Sequence, residues 1–232
     1  MIAYAITVGG SSSGRSCLNR LKSSHRAAAI DVPIQPWPAT VPEQVDDIMA
    51  QEGLVWTYPW SGITVDRDSG LELHPYTTRV RQARVACFLS HYRLWTLALD
   101  TDQWITVLED DAEFVRRFEP ETLPYRSWGA VGLCDPRGAT RRARVFHERV
   151  SEQRDQALII EAPTIDRPVV PQGLAGHSAY MIGPDLASRL IDKSKVNGCW
   201  PNDALMCKQL FPDIGVTTTY YTRVQGRPSN LA

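Results

Sequence analysis

Three adjacent carboxylates, Glu109, Asp110 and Asp111, directly follow an apolar run from Trp104 to Leu108. The run predicts a β-strand, and open α/β sheets bind their ligands at strand ends. Neighbouring carboxylates repel one another unless a cation, basic neighbours or full solvation offsets the repulsion. The pattern therefore predicts a Mg²⁺ or Mn²⁺ site and a metal-assisted reaction on a phosphate-bearing substrate. A solvated acidic turn after a strand explains these three residues equally well.

The composition bounds the fold and the partners. With 232 residues, 43% of them hydrophobic and 22% charged, the chain is long enough for one α/β domain, which we expect to cover residues 1–232. Lysine and arginine number 25 against 26 acidic residues, so nucleic acid or an acidic membrane would need a local basic patch. No apolar run reaches the roughly 18 residues of a membrane span, and the N-terminus lacks a signal-peptide pattern. We expect a soluble, cytoplasmic protein.

The five cysteines are odd in number and widely spaced, with no Cys-x-x-Cys pair. This pattern indicates neither a disulfide framework nor a structural zinc site. Cys87 lies in an apolar stretch and is expected to be a small core residue.

The N-terminal segment has a strand, loop and helix order that suits phosphate binding. An apolar strand covers 2–8, glycines and serines follow, and helical spacing covers 15–24. Thr7, Gly9 and Arg15 are the candidate nucleotide contacts in this segment. It lacks both the G-x-G-x-x-G spacing and a P-loop lysine, and a serine-rich turn explains the same residues.

Three further helices are predicted. One follows Pro42 and covers 43–51, inside a proline-rich stretch that also contains Trp37, Trp56 and Trp60. The strongest covers 78–99 and has a broad apolar face, and a third covers 204–210. The tryptophans are predicted either to fill the core or to form a rim on which a sugar or base stacks.

Several of these motifs resemble glycosyltransferase family 25, which includes lipooligosaccharide and collagen galactosyltransferases. The stretch 86–95, with Cys87-Phe88-Leu89-Ser90-His91, resembles the family's Cys-x-Leu-Ser-His helix, and 107–112 resembles its Leu-Glu-Asp-Asp-Ala strand end. Residues 176–182 and 187–191 resemble a later family segment, and Pro201-Asn202-Asp203 resembles its Pro-x-Asp. The first strand and the arginines at 79, 81 and 84 depart from the family pattern.

The resemblance implies an α/β fold, a GT-A-type Rossmann-like sandwich with a mixed central sheet. Residues 1–125 would form the nucleotide-sugar and metal-binding half, and 126–232 the acceptor-binding half. The implied activity is metal-dependent, inverting transfer of a sugar from a nucleotide sugar, with UDP as the expected nucleotide and Mn²⁺ or Mg²⁺ as the cofactor.

The resemblance also implies roles for individual residues. Asp111 and Glu109 are expected to hold the metal, and Glu109 and Asp110 to contact the donor. Ser90 and His91 are expected to contact the nucleotide. Asp203 is the expected catalytic base, because inverting transfer needs a group that takes the proton of the acceptor hydroxyl. Helix capping explains an aspartate at this position as well.

The acceptor is predicted from the remaining polar residues. His177 lies in a glycine-containing loop and could ligate the metal or contact the acceptor, although a loop histidine without a role is as plausible. Arg141 and Arg142 belong to the basic stretch 137–147, which is either a solvated loop or a clamp for an anionic acceptor. With Trp60, they are the candidate acceptor contacts.

Two acceptors and two other functions stay open. The acceptor is either a cell-surface glycan, as in lipopolysaccharide biosynthesis, or a hydroxymethylated pyrimidine in DNA, which would have to leave the base stack. A metal-dependent phosphoesterase or nuclease would need more carboxylates than the motifs supply. A non-catalytic sugar-nucleotide-binding relative would be expected to have lost one of the acids.

Overall fold

The computed structural model describes residues 1–9, 12–138 and 142–226. Its centre is a seven-stranded sheet in the order β2-β1-β5-β9-β7-β10-β8. Five of these strands run in one direction, whereas β9 and β8 run against them. The predicted α/β class with a mixed central sheet is confirmed, and the sheet takes strands from both the 1–125 and the 126–232 segments.

The elements are numbered in chain order. The strands are β1 Ile2–Thr7, β2 Ile34–Pro38, β3 Thr64–Val65, β4 Glu72–Leu73, β5 Ile105–Glu109, β6 Ala112–Phe114, β7 Ala130–Gly132, β8 Ile159–Glu161, β9 Ala179–Ile182, β10 Ile214–Thr217 and β11 Thr222–Val224. The helices are α1 Ser12–Ala27, α2 Val45–Glu52, α3 Arg81–Thr101, α4 Ala143–Ser151, α5 Pro184–Asn197 and α6 Asn202–Leu205.

Side-chain alternation gives the sheet two buried faces. In β9, Tyr180 and Ile182 join the core beneath α3 and α5, whereas Ala179 and Met181 join the core on the α1 side. Alternate strand residues point to opposite faces, so four consecutive buried residues indicate a sheet covered on both sides. This arrangement leaves the ends of the strands as the place for a site.

Most predicted elements are present with shifted ends. The strongest helix begins at Arg81 rather than at 78, and the helix after Pro42 starts as a 3₁₀ turn before α2. The predicted helix 204–210 is wrong, because α6 ends at Leu205. There the chain turns so that Cys207 can form an antiparallel bridge with Gly173. A side chain at Gly173 would collide with the carbonyl of Met206, so only glycine allows this approach.

The antiparallel strand β9 explains which segments meet at one edge. It lies between β5 and β7 and runs antiparallel to both. The residues just before β9 therefore lie beside the residues just after β5 and just after β7. The amide of Glu109, at the end of β5, donates to the carbonyl of Ser178 over 2.8 Å. The acidic motif and the loop that contains His177 are therefore neighbours.

None of the helices within the described ranges is both long enough and apolar enough to cross a membrane.

Candidate active site

The acidic motif forms a tight turn between two strands, β5 and β6. Gln225, just after β11, fixes this turn: its backbone amide donates to the carbonyl of Asp111 over 2.9 Å. Its side-chain amide donates to the carbonyls of Asp110 and Ala112, at 3.2 and 3.1 Å, and to that of Cys17 at 3.1 Å. One buried amide thus holds the backbone that positions the carboxylates.

Glu109 and Asp111 open into a pocket with a volume of about 380 Å³. The pocket lies at the sheet edge and collects residues from widely separated parts of the chain. Its polar lining includes Tyr76, Arg84, Cys87, Glu109, Asp111, Arg142, Asp166, Gln172, His177, Ser178, Asn202 and Asp203. The predicted base, two predicted metal ligands and the loop histidine therefore line one cavity.

The charge of Asp111 is costly in this structure. Burial, followed by repulsion from Glu109 and Asp110, raises the pKa of Asp111 to about 7. Its Oδ1 atom is buried and has no hydrogen-bond partner. A buried anion of this kind needs compensation, so the Glu109 and Asp111 carboxylates fit a divalent cation, which prefers oxygen ligands.

Asp203 occupies the second position of α6, after Pro201, and is not the helix cap. Burial raises the pKa of its carboxyl, while the nearby Arg84 guanidinium and the Tyr76 hydroxyl favour the charged form. Its Oδ1 atom is buried without a hydrogen-bond partner. The site thus contains a carboxylate with unused acceptor capacity and a raised pKa, as a general base requires.

His91 joins the acidic motif to the core through a chain of hydrogen bonds. The Trp95 indole donates to the Tyr180 hydroxyl over 3.0 Å, and that hydroxyl lies 2.8 Å from Nδ1 of His91. Nε2 of His91 is 3.2 Å from Oε1 of Glu109. Because the indole can only donate, the Tyr180 proton is available to Nδ1, and we assign the imidazole proton to Nε2, facing Glu109. His91 therefore positions Glu109.

His177 is buried in the pocket wall with 5% of its surface exposed, and neither ring nitrogen has a hydrogen-bond partner. Burial, with a smaller contribution from His91, lowers its pKa to about 3. The ring is therefore neutral at physiological pH. Two unused nitrogens on a buried neutral imidazole are suited to contacting a ligand.

One cluster within the described ranges brings metal-ligating atoms within 4.8 Å of one another, namely those of Cys87, His91 and Glu109. Both nitrogens of His91 already have partners, and burial raises the pKa of the Cys87 thiol well above its usual range. This cluster therefore suits the positioning of Glu109 better than metal ligation. Cys87, expected in the core, lines the pocket instead.

The nucleotide candidates of the first segment lie at the same sheet edge. Ile6 in β1 pairs with Glu109 in β5, so Thr7 and Gly9 follow beside the acidic turn. Thr7 donates its hydroxyl proton to the carbonyl of Trp37. Arg15 lies exposed in α1 and does not line the pocket.

Other candidates lie elsewhere. Ser90 donates to the carbonyl of Ala86 and accepts the amide of Thr40, so its hydroxyl is used inside the fold. Trp60 stacks on Trp56 with ring centroids 5.1 Å apart, outside the carboxylate pocket.

The two arginine candidates differ in what the structure describes. Arg142 lines the pocket and pairs with Asp166 at 2.5 Å. Arg141 lies outside the described residues.

Sequence reasoning missed several residues that shape the site. Arg84 belongs to none of the family motifs, although the spacing of 84, 87 and 91 places these residues along one side of α3. Gln172 is buried, and its side-chain oxygen accepts the amides of Ile165 and Asp166, which orders the loop beside the pocket. No local sequence signal identifies Gln172, Tyr180 or Gln225, because their partners are distant in the chain.

One family model matches the segment that contains the first two motifs. The sequence model described as Glycosyltransferase family 25 (LPS biosynthesis protein) matches residues 65–126. No curated protein sequence matches significantly. Similar solved structures include a galactosyltransferase, LgtC, in complex with donor and acceptor sugar analogues (11% identity, 93% of this chain and 72% of that chain covered, TM-score 0.42). Another is mouse xyloside xylosyltransferase 1 (9% identity, 92% and 83% covered, TM-score 0.40).

The matched residues 65–126 include the His91 helix and the whole acidic motif, which the structure places at the pocket. The similarity to glycosyltransferase family 25 therefore lies in the segment that supplies Glu109 and Asp111 to the pocket.

Proposed function

We propose that the protein transfers a sugar, with inversion, from a nucleotide sugar to a hydroxyl group of an anionic glycan. One observation carries this proposal: Glu109, Asp111, His177 and Asp203 come from three distant segments and line a single pocket. The donor-binding half is assigned to 1–125 and the acceptor-binding half to 126–232. The pocket lies at the edge where these two parts of the sheet meet.

The donor is assigned to the acidic side of the pocket. UDP is the proposed nucleotide because of the family resemblance, and Thr7 and Gly9 lie beside the acidic turn, where its phosphates or ribose would reach them. Glu109 and Asp111 would hold Mn²⁺ or Mg²⁺, with Asp110 on the ribose or donor sugar. When bound, the cation would offset the negative charge on the departing nucleoside diphosphate.

Asp203 is assigned as the base. Its carboxylate takes the proton of the acceptor hydroxyl while the hydroxyl oxygen forms a bond to the anomeric carbon. The bond between that carbon and the diphosphate oxygen breaks, and the electron pair leaves with the nucleoside diphosphate. The raised pKa of Asp203 makes it a stronger base, and Arg84 keeps its charged form accessible.

The assignment of His91 and His177 follows from their hydrogen bonds. His91 donates to Glu109 and fixes its orientation, and Tyr180 fixes the tautomer of His91. Neutral His177 has two unused nitrogens in the pocket and is assigned to a contact with donor or acceptor.

We also propose a cytoplasmic location. All five cysteines are free thiols, and unpaired thiols persist in reducing compartments.

The experiment is a turnover screen with UDP, GDP, CMP and TDP sugars in Mn²⁺, with mass spectrometry of acceptors and of released nucleotide. Phosphorylated glycans and hydroxymethylated DNA serve as parallel acceptors. We expect one donor to be consumed and its sugar to appear on the glycan. Sugar on the DNA alone would reject the glycan acceptor, and cleavage of DNA without any donor would reject transfer.

A further inference from the structure

A second pocket, with a volume of about 300 Å³, lies beside the first and is strongly basic. Neither the family motifs nor the proposed reaction uses it. It is lined by Val115, Arg116, Asp135, Arg137, His147, Arg154, Thr219, Tyr220 and Arg223. Its size is at the lower end of the range for small-molecule sites.

The two pockets share a wall. At three places in the chain, one residue lines the carboxylate pocket and its immediate neighbour lines the basic pocket, so the cavities lie on opposite sides of the same backbone. These pairs are Arg137 with Gly138, Phe146 with His147, and Arg223 with Val224.

The basic pocket has more positive charge than its carboxylates neutralise. Arg137 pairs with Asp135 through Nη2 and Oδ2, 2.7 Å apart, and Arg223 pairs with Glu113 at 2.9 Å. Among the residues that the structure describes, neither Arg116 nor Arg154 has a carboxylate partner. Arg154 donates through Nε to the carbonyl of Thr218 over 3.4 Å, so its Nη groups and the Arg116 guanidinium remain for an anion. Arginine suits oxyanions because its planar fork binds two oxygens at once.

Tyr220 supplies an independent indication that this pocket holds a ligand. The residue is only 6% exposed and lines the pocket, and its hydroxyl has no hydrogen-bond partner. Its ring lies against that of His147, with centroids 5.6 Å apart, so the hydroxyl is held in place. A buried hydroxyl without a partner costs stability unless a bound molecule accepts its proton.

We propose that the basic pocket binds an oxyanion of the acceptor glycan, a phosphate or a carboxylate, through Arg116, Arg154 and the Tyr220 hydroxyl. The anion would anchor the acceptor so that its reacting hydroxyl enters the neighbouring pocket beside Asp203. This inference rests on the proposed function for the identity of the ligand, whereas the anion site itself does not.

The anion site is tested by calorimetric titration with inorganic phosphate in EDTA, so that no cation takes part. Arg116→Gln combined with Arg154→Gln is expected to weaken phosphate binding at least about tenfold, since charge-assisted hydrogen bonds are the strong ones. Tyr220→Phe is expected to weaken it severalfold while the variant melts no lower than wild type, because the lost hydroxyl had no partner.

Arg149→Gln is the matched control, since Arg149 is an exposed arginine of α4 that does not line the pocket. It removes one positive charge and is expected to leave phosphate affinity unchanged. Equal affinity in wild type and the pocket variants, or an equal loss in Arg149→Gln, would overturn the anion site.

The acceptor role is tested by initial rates with paired acceptors that differ only in bearing a phosphate, a carboxylate or neither group. The double variant is expected to raise KM for the charged acceptors about tenfold and to leave kcat and the neutral acceptor unchanged. The more affected of the two charged acceptors identifies the anion. If the double variant lost phosphate binding but kept its KM for the charged acceptors, the acceptor role alone would be rejected. If its KM changed for hydroxymethylated DNA and not for the glycans, the glycan would be rejected as the acceptor.

Discussion

Asp111→Asn should stabilise the metal-free protein, although it removes a residue assigned to the active site. Asp111 has its pKa raised from 3.8 to about 7 by burial and by two neighbouring carboxylates. A raised pKa in a carboxyl means that the folded state binds the proton more tightly than the unfolded state, so ionisation weakens the fold. The shift of about three units corresponds to a ceiling of about 4 kcal/mol at 1.36 kcal/mol per unit.

The measurable gain should be smaller, because Glu109 and Asp110 share the repulsion and part of the Asp111 side chain reaches solvent. We expect about 1–2 kcal/mol at pH 8 in EDTA, which is a rise in Tm of about 3–6 °C for a chain of this size. The sign of the pH dependence follows from the shift. The gain is absent near pH 4, grows between about pH 4 and pH 7, where the unfolded wild type has released the proton that the folded carboxyl still holds, and is complete above about pH 7.

Thermal melts of both proteins from pH 4 to pH 8, with and without Mn²⁺, measure this effect. Added Mn²⁺ should stabilise wild type and have little effect on the variant. Asp100→Asn is the matched control, because Asp100 is exposed and lies outside the carboxylate pocket. An unchanged or lower Tm for Asp111→Asn at pH 8 in EDTA, or a gain that is the same at pH 4, would show that the charge of Asp111 does not destabilise the fold.

Three further predictions follow from single contacts. Asp203→Asn should lower sugar transfer by about 10²–10⁴-fold while nucleotide affinity stays near wild type; unimpaired transfer, compared with the exposed-site control Asp155→Asn, would reject the base assignment. Tyr180→Phe removes the hydroxyl proton that fixes the His91 tautomer and should weaken Mn²⁺ affinity about 10–100-fold in a calorimetric titration. Unchanged affinity would show that Glu109 does not depend on the hydrogen bond from His91. Gln225→Met should lower the free energy of unfolding, measured in urea, by about 1–3 kcal/mol, since three carbonyls lose the side-chain amide that donates to them. A smaller loss would show that the acidic turn is stable without this amide.

The acidic motif and its strand could be predicted because their signals are local. The run of apolar residues before Glu109 fixes the strand, and three adjacent acids indicate charge that must be compensated. The motifs around His91 and Asp203 carry the resemblance to glycosyltransferase family 25, and the family model matches the first of them. Burial raises the pKa of both Asp111 and Asp203. It could not be predicted from the sequence, because it depends on segments that are distant in the chain.

The error in the predicted helix 204–210 has its physical cause in a long-range contact. The helix predicted at 204–210 stops early because Cys207 pairs with Gly173, a partner 34 residues earlier. Trp60 stacks on Trp56, and Arg81 lies over its ring 5.3 Å from the centroid, so a role for Trp60 in acceptor binding stays a prediction. A pattern along the chain cannot reveal that such positions are taken by residues from other elements.

The basic stretch 137–147 shows how structure divides a sequence cluster. The sequence indicates one patch of positive charge, whereas the structure places Arg137 and His147 in the basic pocket and Arg142 in the carboxylate pocket. Arg144 pairs with Glu148 on the exposed side of α4. The pocket also takes Arg116 and Arg223 from other segments, which no local pattern connects with this stretch.

We propose that the pocket around Glu109 and Asp111 binds a nucleotide sugar together with a divalent cation. Calorimetric titration of UDP into wild type and Glu109→Gln, each with Mn²⁺ and with EDTA, is the direct test. We expect UDP to bind wild type in a manner that depends on Mn²⁺, with an affinity that falls at least about tenfold in the variant. UDP binding that is equal with Mn²⁺ and EDTA, and equal in the two proteins, would contradict it.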